Sequence, residues 1–207
     1  PARMGVSIGD TLCASYGCMG VLAALHFREK TGEGQIVDTA LYEAVLQVME
    51  GLIPEYDHGG FIRERSGSIL PGIAPSNVYA CKDGHFMIGA NKDEIFARMA
   101  EAMGQPELAD SPKYATHIAR GENQLELDDI VNAWSGLLTV DQVEKATLDY
   151  SIPAGRVYRA SDMLADPHFQ KREAIIEVET EKHGKLKMQN AFPKLSRSPS
   201  SVRRAAP

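Results

Sequence analysis

The residue with the clearest chemical potential in this chain is Asp10, which lies just before a long apolar segment. The run Ser7-Ile8-Gly9-Asp10 leads directly into that segment. An aspartate at the head of a helix is a favoured cap, because its carboxylate accepts hydrogen bonds from the free amides of the first turn. A carboxylate can also attack an acyl group and form a covalent intermediate. Local sequence favours capping and does not exclude the covalent role.

Other residue types with catalytic or metal-binding chemistry lack the spacing that such chemistry needs. The six histidines form neither an HExxH motif nor an i, i+4 pair; they are His26, His58, His85, His117, His168 and His183. The chain also lacks a GxSxG elbow, a Walker loop and a GxGxxG turn after a strand. The sequence therefore predicts no metal site and contains none of these catalytic motifs.

The elements around Asp10 are predicted to be helix, strand and helix. Residues 11–30 are apolar or small around most of the helical circumference, and Gly32 can supply a left-handed cap. Residues 35–39 have the composition of a short strand. Residues 41–56 are predicted to form a second helix that ends near Pro54. This order is typical of one piece of an α/β sheet.

A change in composition follows at residues 58–74, which are rich in Gly, Ser, Arg and Pro. This pattern predicts a linker or a mobile loop, and a lid over a site is one possible use of it. Residues 76–81 and 85–90 then alternate around Asp83-Gly84, a pair that favours a tight hairpin turn with positive φ.

Helices dominate the next segment of the chain. Amphipathic helices are predicted at residues 93–103 and 122–134, and a third helix begins at Thr139 with Gln142 in the capping-box position. Together with the hairpin they predict a compact α+β subdomain of roughly residues 75–160. A closing hairpin is predicted from strands 175–180 and 185–189.

Composition limits the classes of partner. The chain has 207 residues, 43% apolar content and a net charge of -6 with both signs interspersed. This balance argues against nucleic acid and against a polybasic membrane surface. Three cysteines without metal or disulfide spacing favour the cytoplasm. No uninterrupted apolar run reaches the roughly 18 residues of a membrane span, so we expect a soluble protein that binds small molecules or protein chains. Both termini look cut from something longer.

Several segments resemble, in order, the family III CoA-transferases of the CaiB/BaiF group. The first is the run through Asp10 and its small-residue helix to Arg28-Glu29-Lys30-Thr31-Gly32-Glu33-Gly34-Gln35-Ile36-Val37-Asp38. The others are Ala74-Pro75-Ser76-Asn77-Val78-Tyr79 with Lys82-Asp83-Gly84, Met103-Gly104-Gln105-Pro106-Glu107-Leu108, Ile152-Pro153-Ala154-Gly155, Asp166-Pro167-His168-Phe169 and Pro193-Lys194-Leu195-Ser196. Each segment alone is weakly specific, whereas six in order are strongly so. The chain is similar to the second half of a family member.

The resemblance implies an α/β fold, with part of a Rossmann-like large domain, a small α+β domain and an interlocked homodimer. Residues 1–57 would be the large-domain segment that carries the catalytic aspartate, and residues 58–74 the glycine-containing loop. Residues 75–164 would form the small domain, and residues 165–207 would return to the large domain. A chain without the first half of the large domain is expected to expose apolar helix surface and to associate.

The resemblance also implies a reaction in which CoA moves between carboxylic acids through an aspartyl-CoA intermediate. Asp10 matches the nucleophile of the family, and its chemistry suggests that it lies just ahead of the helix, where it stays nucleophilic. The partners would be an acyl-CoA and a carboxylic acid, with the CoA thioester as substrate and no separate cofactor. The tetraglycine run of formyl-CoA transferases is replaced by Arg65-Ser66-Gly67-Ser68-Ile69-Leu70-Pro71-Gly72. Oxalate and formate are therefore disfavoured, while Ser66, Gly67 and Ser68 are candidates for substrate binding.

Two other functions stay open at this point. The α-methylacyl-CoA racemases are similar over this region and use the equivalent aspartate as a base in proton transfer. The segment Ala74-Pro75-Ser76-Asn77-Val78-Tyr79 resembles the transferase branch more closely. A fragment that only binds a partner is the third possibility, because most contacts to the CoA nucleotide in this family lie in the other half of the chain.

Overall fold

A computed structural model describes residues 4–202 of the chain, which divide into two compact units. The first unit ends at Gly67 and the second begins at Ser68. This boundary falls inside the predicted glycine-containing loop. The assignment of residues 1–57, 75–164 and 165–207 to domains of a larger protein stays a prediction.

The first unit is helical. Its helices are α1 (Ile8–Thr31), α2 (Leu41–Leu46) and α3 (Leu52–Gly59). The predicted first helix is confirmed, although it begins three residues earlier than expected. Its end is also confirmed, since Gly32 has a φ of 78° and its amide donates to the carbonyl of Arg28. Only a residue without a Cβ adopts this left-handed conformation without strain.

Two predictions for the segment after α1 are wrong. Residues 35–39 have no regular secondary structure and pair with no strand within residues 4–202. They run back over α1, where a Cβ on Gly20 would lie 2.7 Å from Val37 Cγ1. The second predicted helix is interrupted by turns at residues 47–51. Pro54 does not end it but lies in the first turn of α3, where the missing amide hydrogen costs nothing.

Helix α1 also corrects the expectation about membrane segments. It is the one helix within residues 4–202 that is long and apolar enough to cross a bilayer by length and composition. Sequence analysis counted uninterrupted apolar runs, and the small residues inside α1 interrupt such runs without making the helix polar. The core helix of a soluble protein passes the same test, so this is weak evidence for a membrane segment.

The second unit is built on a three-stranded antiparallel sheet in the order β1, β2, β3. The strands of this sheet are β1 (Ser76–Cys81), β2 (Gly84–Gly89) and β3 (Ala154–Arg156). The helices of the unit are α4 (Asp93–Ala102), α5 (His117–Glu122), α6 (Gln124–Ser135), α7 (Val140–Asp149), α8 (Ala160–Ala165) and α9 (Pro167–Lys171). A 3₁₀ turn lies at Pro106–Ala109. Side chains from the sheet and from α4, α6 and α7 form the core; they include Tyr79, Phe86, Ile88, Met99, Val131 and Val143. Strand β2 buries Phe86 and Ile88 and exposes Met87, as the alternation of a half-buried strand requires.

Most local predictions for the second unit are confirmed. The hairpin pairs Cys81 with Gly84, and the capping box between Thr139 and Gln142 is formed. A second hairpin joins β4 (Ile175–Thr180) to β5 (Gly184–Gln189). The predicted positive φ at the Asp83-Gly84 turn is wrong, since neither residue has one. Instead, the Asp83 carboxylate accepts a hydrogen bond of 2.8 Å from the amide of Val140 and so fixes the turn against α7. The predicted helix at 122–134 is α6, and α5 before it was missed, as were β3, α8 and α9.

Candidate active site

Asp10 lies inside the first turn of α1, not ahead of the helix as the sequence analysis expected. The helix begins after Ser7, whose side chain makes no capping bond, so that Asp10 is the third helical residue. Its side chain is exposed. No hydrogen bond or ion pair within residues 4–202 holds its carboxylate, and the carboxylate is therefore free to meet a substrate.

The backbone next to Asp10 offers unpaired donors. The first hydrogen bond of the helical ladder runs from the amide of Thr11 to the carbonyl of Ser7, at 3.0 Å. Within the described part of the chain, the amides of Gly9 and Asp10 have no acceptor. The first amides of a helix carry partial positive charge, and the macrodipole adds to it. This end of α1 can stabilise negative charge that develops on an oxygen beside Asp10.

Helix α2 fixes the start of α1 from one side. A Cβ on Gly9 would lie 3.6 Å from Val45 Cγ2, which is ordinary packing distance. Ala44, the neighbour of Val45, is buried. The first turn of α1 is therefore held by local packing, although much of the remaining helix surface is exposed.

The three candidates for substrate binding lie at the boundary between the units. Gly67 has a φ of 66°, a conformation that favours glycine. Ser68 Oγ donates a hydrogen bond of 2.5 Å to Asn77 Oδ1 in the second unit. Ser66 is half-buried in the first unit, and no hydrogen bond within residues 4–67 joins it to Asp10. The substrate-binding role of these residues stays a prediction.

An ion pair braces the chain just before these residues. Arg63 donates to both carboxylate oxygens of Glu55 on α3, at 2.6 and 2.7 Å, and its third donor reaches the carbonyl of Met49 at 3.2 Å. The hydrogen bond with Arg63 holds the pKa of Glu55 below its usual range. The loop is thus attached to the first unit up to residue 63.

On the other side of the boundary, the chain is attached to the second unit by buried polar residues four positions apart. Arg120, Gln124 and Asp128, which we call the polar ladder, lie on one side of α5 and α6 and are buried. Each of them hydrogen-bonds to the segment 70–79. Side chains distant in sequence therefore hydrogen-bond to backbone groups of residues 70–74, while the mobility of the loop at 58–74 stays a prediction. Spaced polar residues inside an amphipathic helix were the only sequence signal for this arrangement.

Within the polar ladder, Asp128 hydrogen-bonds to strand β1. Its carboxylate accepts a hydrogen bond of 2.6 Å from the Tyr79 hydroxyl and one of 3.1 Å from Asn77 Nδ2. Burial, followed by the hydrogen bond to Asp128, raises the pKa of Tyr79 well above its ordinary value. Tyr79 is therefore a neutral donor to Asp128 at neutral pH.

Within the polar ladder, Arg120 hydrogen-bonds to Ala74, the residue before Pro75. Its guanidinium donates to the carbonyls of Ala74, Tyr114 and Asn91 at 3.2, 2.8 and 2.7 Å. It also pairs with Asp93 at 2.6 Å and lies 4.7 Å above the ring of Phe96. A planar fork with five donors suits this task, since it satisfies several carbonyls at once.

The second unit also contains an open cleft of about 650 Å³ between the β1–β2 turn, α7 and α8. Arg156 on its wall pairs with Asp141 and Glu144, and Tyr158 donates to Asp166 at 2.6 Å. These groups leave the cleft wall acidic, since one guanidinium faces two carboxylates and the neutral hydroxyl of Tyr158 binds a third. No three metal-binding side chains cluster anywhere in residues 4–202.

Comparison with known proteins identifies the family to which this chain belongs. The pattern of CoA-transferase family III matches residues 1–207. The chain belongs to this family. It is similar over its whole length to a solved CaiB/BaiF family protein from Brucella suis, with 26% identity, a TM-score of 0.76 and 53% of that chain covered. A solved protein from Mycobacterium tuberculosis shares the fold at 17% identity, with a TM-score of 0.79, over 98% of this chain and 53% of its own.

Two relatives of the chain are enzymes named for the reactions that they catalyse. The chain is 54% identical over 203 residues to a succinyl-CoA–D-citramalate CoA-transferase of Chloroflexus aurantiacus, covering 98% of this chain and 50% of the relative. It is 36% identical over 210 residues to the beta subunit of a succinyl-CoA–L-malate CoA-transferase from the same organism, covering 97% of this chain and 50% of the relative. The chain thus spans about half the length of the curated relatives it matches. Its family is that of CoA-transferases, and the sequence-based recognition of the family is confirmed.

Proposed function

We propose that the protein containing this chain transfers CoA from succinyl-CoA to a small dicarboxylic acid, with D-citramalate as the first acceptor to test. The observation that carries this proposal is the 54% identity to a succinyl-CoA–D-citramalate CoA-transferase over 98% of the chain. Relatives at 36% identity are named for succinyl-CoA and L-malate. A shared donor and related four- and five-carbon acceptors support the substrate class.

Asp10 would carry the acyl group and then CoA. One carboxylate oxygen of Asp10 attacks the thioester carbonyl of succinyl-CoA, and the carbon–sulfur bond breaks to give a mixed anhydride and CoA thiolate. The thiolate attacks the aspartyl carbonyl, succinate leaves, and a thioester between CoA and Asp10 remains. The acceptor carboxylate repeats these two steps in reverse order and leaves as the new acyl-CoA. Each step exchanges one activated carboxyl for another, so no ATP is needed.

The start of α1 suits the two demands of this chemistry. Negative charge develops on the carbonyl oxygen in each addition, and preorganised donors lower the barrier most when they point at that oxygen. The free amides of Gly9 and Asp10 are the nearest candidates for such donors. Both intermediates are sensitive to hydrolysis, so bound substrate and the remainder of the protein must shield Asp10, which is exposed in this chain.

Proton transfer by the same aspartate, as in an α-methylacyl-CoA racemase, is the alternative that the sequence left open. The matched relatives with reaction names described above are CoA-transferases, which favours CoA transfer. Loss of deuterium from the acyl α-carbon without CoA transfer would support the racemase instead.

Assembly and location are part of the same proposal. We expect a homodimer in the cytoplasm that binds neither nucleic acid nor membrane. The apolar surface of the first unit supports assembly with further chain, and the L-malate relatives are themselves named as alpha and beta subunits. Three free cysteines support a reducing compartment.

The decisive experiment uses the complete protein with succinyl-CoA and a panel of acids that includes D-citramalate, L-malate, mesaconate and oxalate. We expect transfer to a dicarboxylate, and a mass increase equal to CoA less one water on the peptide that contains Asp10 when the acceptor is omitted. An Asp10→Asn variant should lose about 10³-fold or more of the activity, because its amide cannot form the anhydride.

A matched control is Asp57→Asn, which removes an exposed carboxylate from the same unit. It should transfer CoA at the wild-type rate. Full activity of Asp10→Asn, or an adduct on a different peptide, would contradict the proposed mechanism.

A further inference from the structure

The segment after Gly67 is held against α5 and α6 by hydrogen bonds to its backbone. Gln124 contacts three backbone groups of one tight turn: its Oε1 accepts from the amide of Gly72 at 3.0 Å, and its Nε2 donates to the carbonyls of Leu70 and Ile73 at 3.1 and 3.2 Å. The turn is closed by a bond of 3.0 Å from the amide of Ile73 to the carbonyl of Leu70. Because Gln124 is buried, water does not compete for these bonds.

The turn also lies directly against the backbone of α5. A Cβ on Gly121 would be 2.4 Å from the carbonyl oxygen of Gly72, a distance that no real Cβ adopts. Only glycine at position 121 permits this approach. Two glycines distant in sequence therefore let the turn lie against the helix.

Ser68 is oriented by a second chain of hydrogen bonds. Its hydroxyl donates to Asn77 Oδ1, which also accepts from the amide of Val78 at 2.7 Å. The amide group of Asn77 is in turn fixed by Asp128 Oδ2. Since the hydrogen of Ser68 is directed to Asn77, the remaining face of Ser68 Oγ acts as an acceptor. Within residues 4–202, the backbone amides of Ser68 and Ile69 have no acceptor and stay available as donors.

We propose that Gln124 and Asp128 are positioning residues that hold residues 68–73 as a fixed platform for the acceptor acid. The inference rests on the proposed function, since it assumes that Ser68 and its neighbours contact the acyl group. Neither Gln124 nor Asp128 touches the substrate; they act through the turn 70–73 and through Asn77. The segment is then a rigid part of the acceptor site and not a lid. Replacing Gln124 or Asp128 therefore weakens selection of the acceptor more than it slows the chemical step.

The test compares Gln124→Met with Asn132→Ala in the complete protein. Methionine keeps the length of Gln124 and removes its three hydrogen bonds. Asn132 lies two turns further along α6 and accepts one hydrogen bond of 3.3 Å from the amide of Ala80 in β1, so its removal costs a bond from α6 to the backbone without touching the segment 68–77. Gln124→Glu is a second variant of the same shape. It replaces the Nε2 group, which donates to the carbonyls of Leu70 and Ile73, by a carboxylate oxygen that can only accept.

The first readout is hydrogen exchange of the Gly72 amide, which does not depend on activity. We expect exchange to be about tenfold faster in Gln124→Met and in Gln124→Glu than in the wild type, and unchanged in Asn132→Ala. An unchanged rate in both Gln124 variants would overturn the claim that Gln124 holds the segment.

The second readout is the kinetics of CoA transfer. We expect Gln124→Met to raise KM for the acceptor about tenfold, with KM for succinyl-CoA and the rate of CoA loading on Asp10 within about twofold of wild type. Equal acceptor KM values in Gln124→Met and Asn132→Ala would overturn the positioning role even if exchange is accelerated. If the wild-type protein transfers no CoA to any acid, the proposed function fails, whereas Gly72 exchange still decides whether Gln124 fixes the turn.

Discussion

Arg120 is a side chain that joins three separate backbone segments of the second unit. Its side chain is 0% exposed, yet its ion-pair partner Asp93 is 59% exposed. The pair is therefore hydrated on one side only, and its Coulomb energy is a poor measure of its importance. The larger contribution is that one guanidinium satisfies three carbonyls from separate segments.

We predict that Arg120→Met lowers the free energy of unfolding of the second unit by about 3 kcal/mol, because three buried carbonyls lose their donor. Arg120→Lys should recover part of this loss, since one ammonium group cannot reach all the acceptors. Urea denaturation followed by the fluorescence of Trp134 measures both. A loss below about 1 kcal/mol in Arg120→Met would show that water replaces the guanidinium.

The ion pair between Arg120 and Asp93 makes the free energy of unfolding depend on pH. The hydrogen bond with Arg120 is the main cause that holds the pKa of Asp93 below its usual range, with His117 contributing less. A group whose pKa is lower in the folded state stabilises the protein above its unfolded pKa of about 3.9 and loses that contribution as pH falls through the folded value.

We therefore predict that Asp93→Asn flattens the loss of stability on acidification below about pH 4. Asp129→Asn is the control, since Asp129 is exposed and has no partner within residues 4–202. Thermal unfolding between pH 6 and pH 2 checks the prediction. Parallel curves for wild type and Asp93→Asn would contradict it.

At the level of elements, glycines decide how closely segments approach. Gly20 lets the chain at Val37 contact α1, and Gly121 lets the turn at Gly72 contact α5. Helix propensity alone would favour alanine at both helical positions by up to about 1 kcal/mol. Packing opposes that preference, because the backbone of Gly72 cannot move without losing its bond to Gln124.

We predict that Gly121→Ala lowers the free energy of unfolding by about 1–3 kcal/mol, the cost of forcing extra volume into a close backbone contact. Gly59→Ala at the end of α3 is the matched control, because no atom lies within 4 Å of the added Cβ. It should be neutral within about 0.5 kcal/mol. Equal stability of the two variants would mean that the turn is free to shift.

On the scale of the whole molecule, the two units differ in how they bury apolar surface. The second unit has two clusters of buried apolar side chains, whereas α1 buries none of its residues. Large apolar side chains are exposed along the first unit, among them Leu22 at 61% and Ile36 at 93%. Contiguous apolar surface of this kind is typical of an interface. The expectation that the isolated chain exposes apolar helix surface is confirmed.

We predict that the 207-residue chain alone self-associates at micromolar concentration, because association is its only way to cover this surface. Sedimentation velocity over a range of concentrations measures it, with the complete protein as the control. The complete protein should sediment as one species of constant size. A monomer of the isolated chain at all concentrations would contradict the prediction.

Local sequence was enough to predict the features that depend on neighbouring residues. The length of α1, its glycine cap, both hairpins and the capping box of α7 follow from periodicity, turn residues and capping within a few positions. The resemblance of ordered motifs then identified the family and pointed to Asp10. These signals are readable because each depends on interactions between residues fewer than about ten positions apart.

Tertiary contacts decided the rest, because the groups that satisfy each other are far apart in the chain. The glycines and prolines around the turn at 70–73 predict only a loop, whereas its contacts with Gln124 and Gly121 come from about fifty residues away. Residues 35–39 have the composition of a strand but no neighbouring strand within the described chain, so composition could not make them one. A backbone group is ordered by whichever partner satisfies it, and only the folded chain brings that partner near.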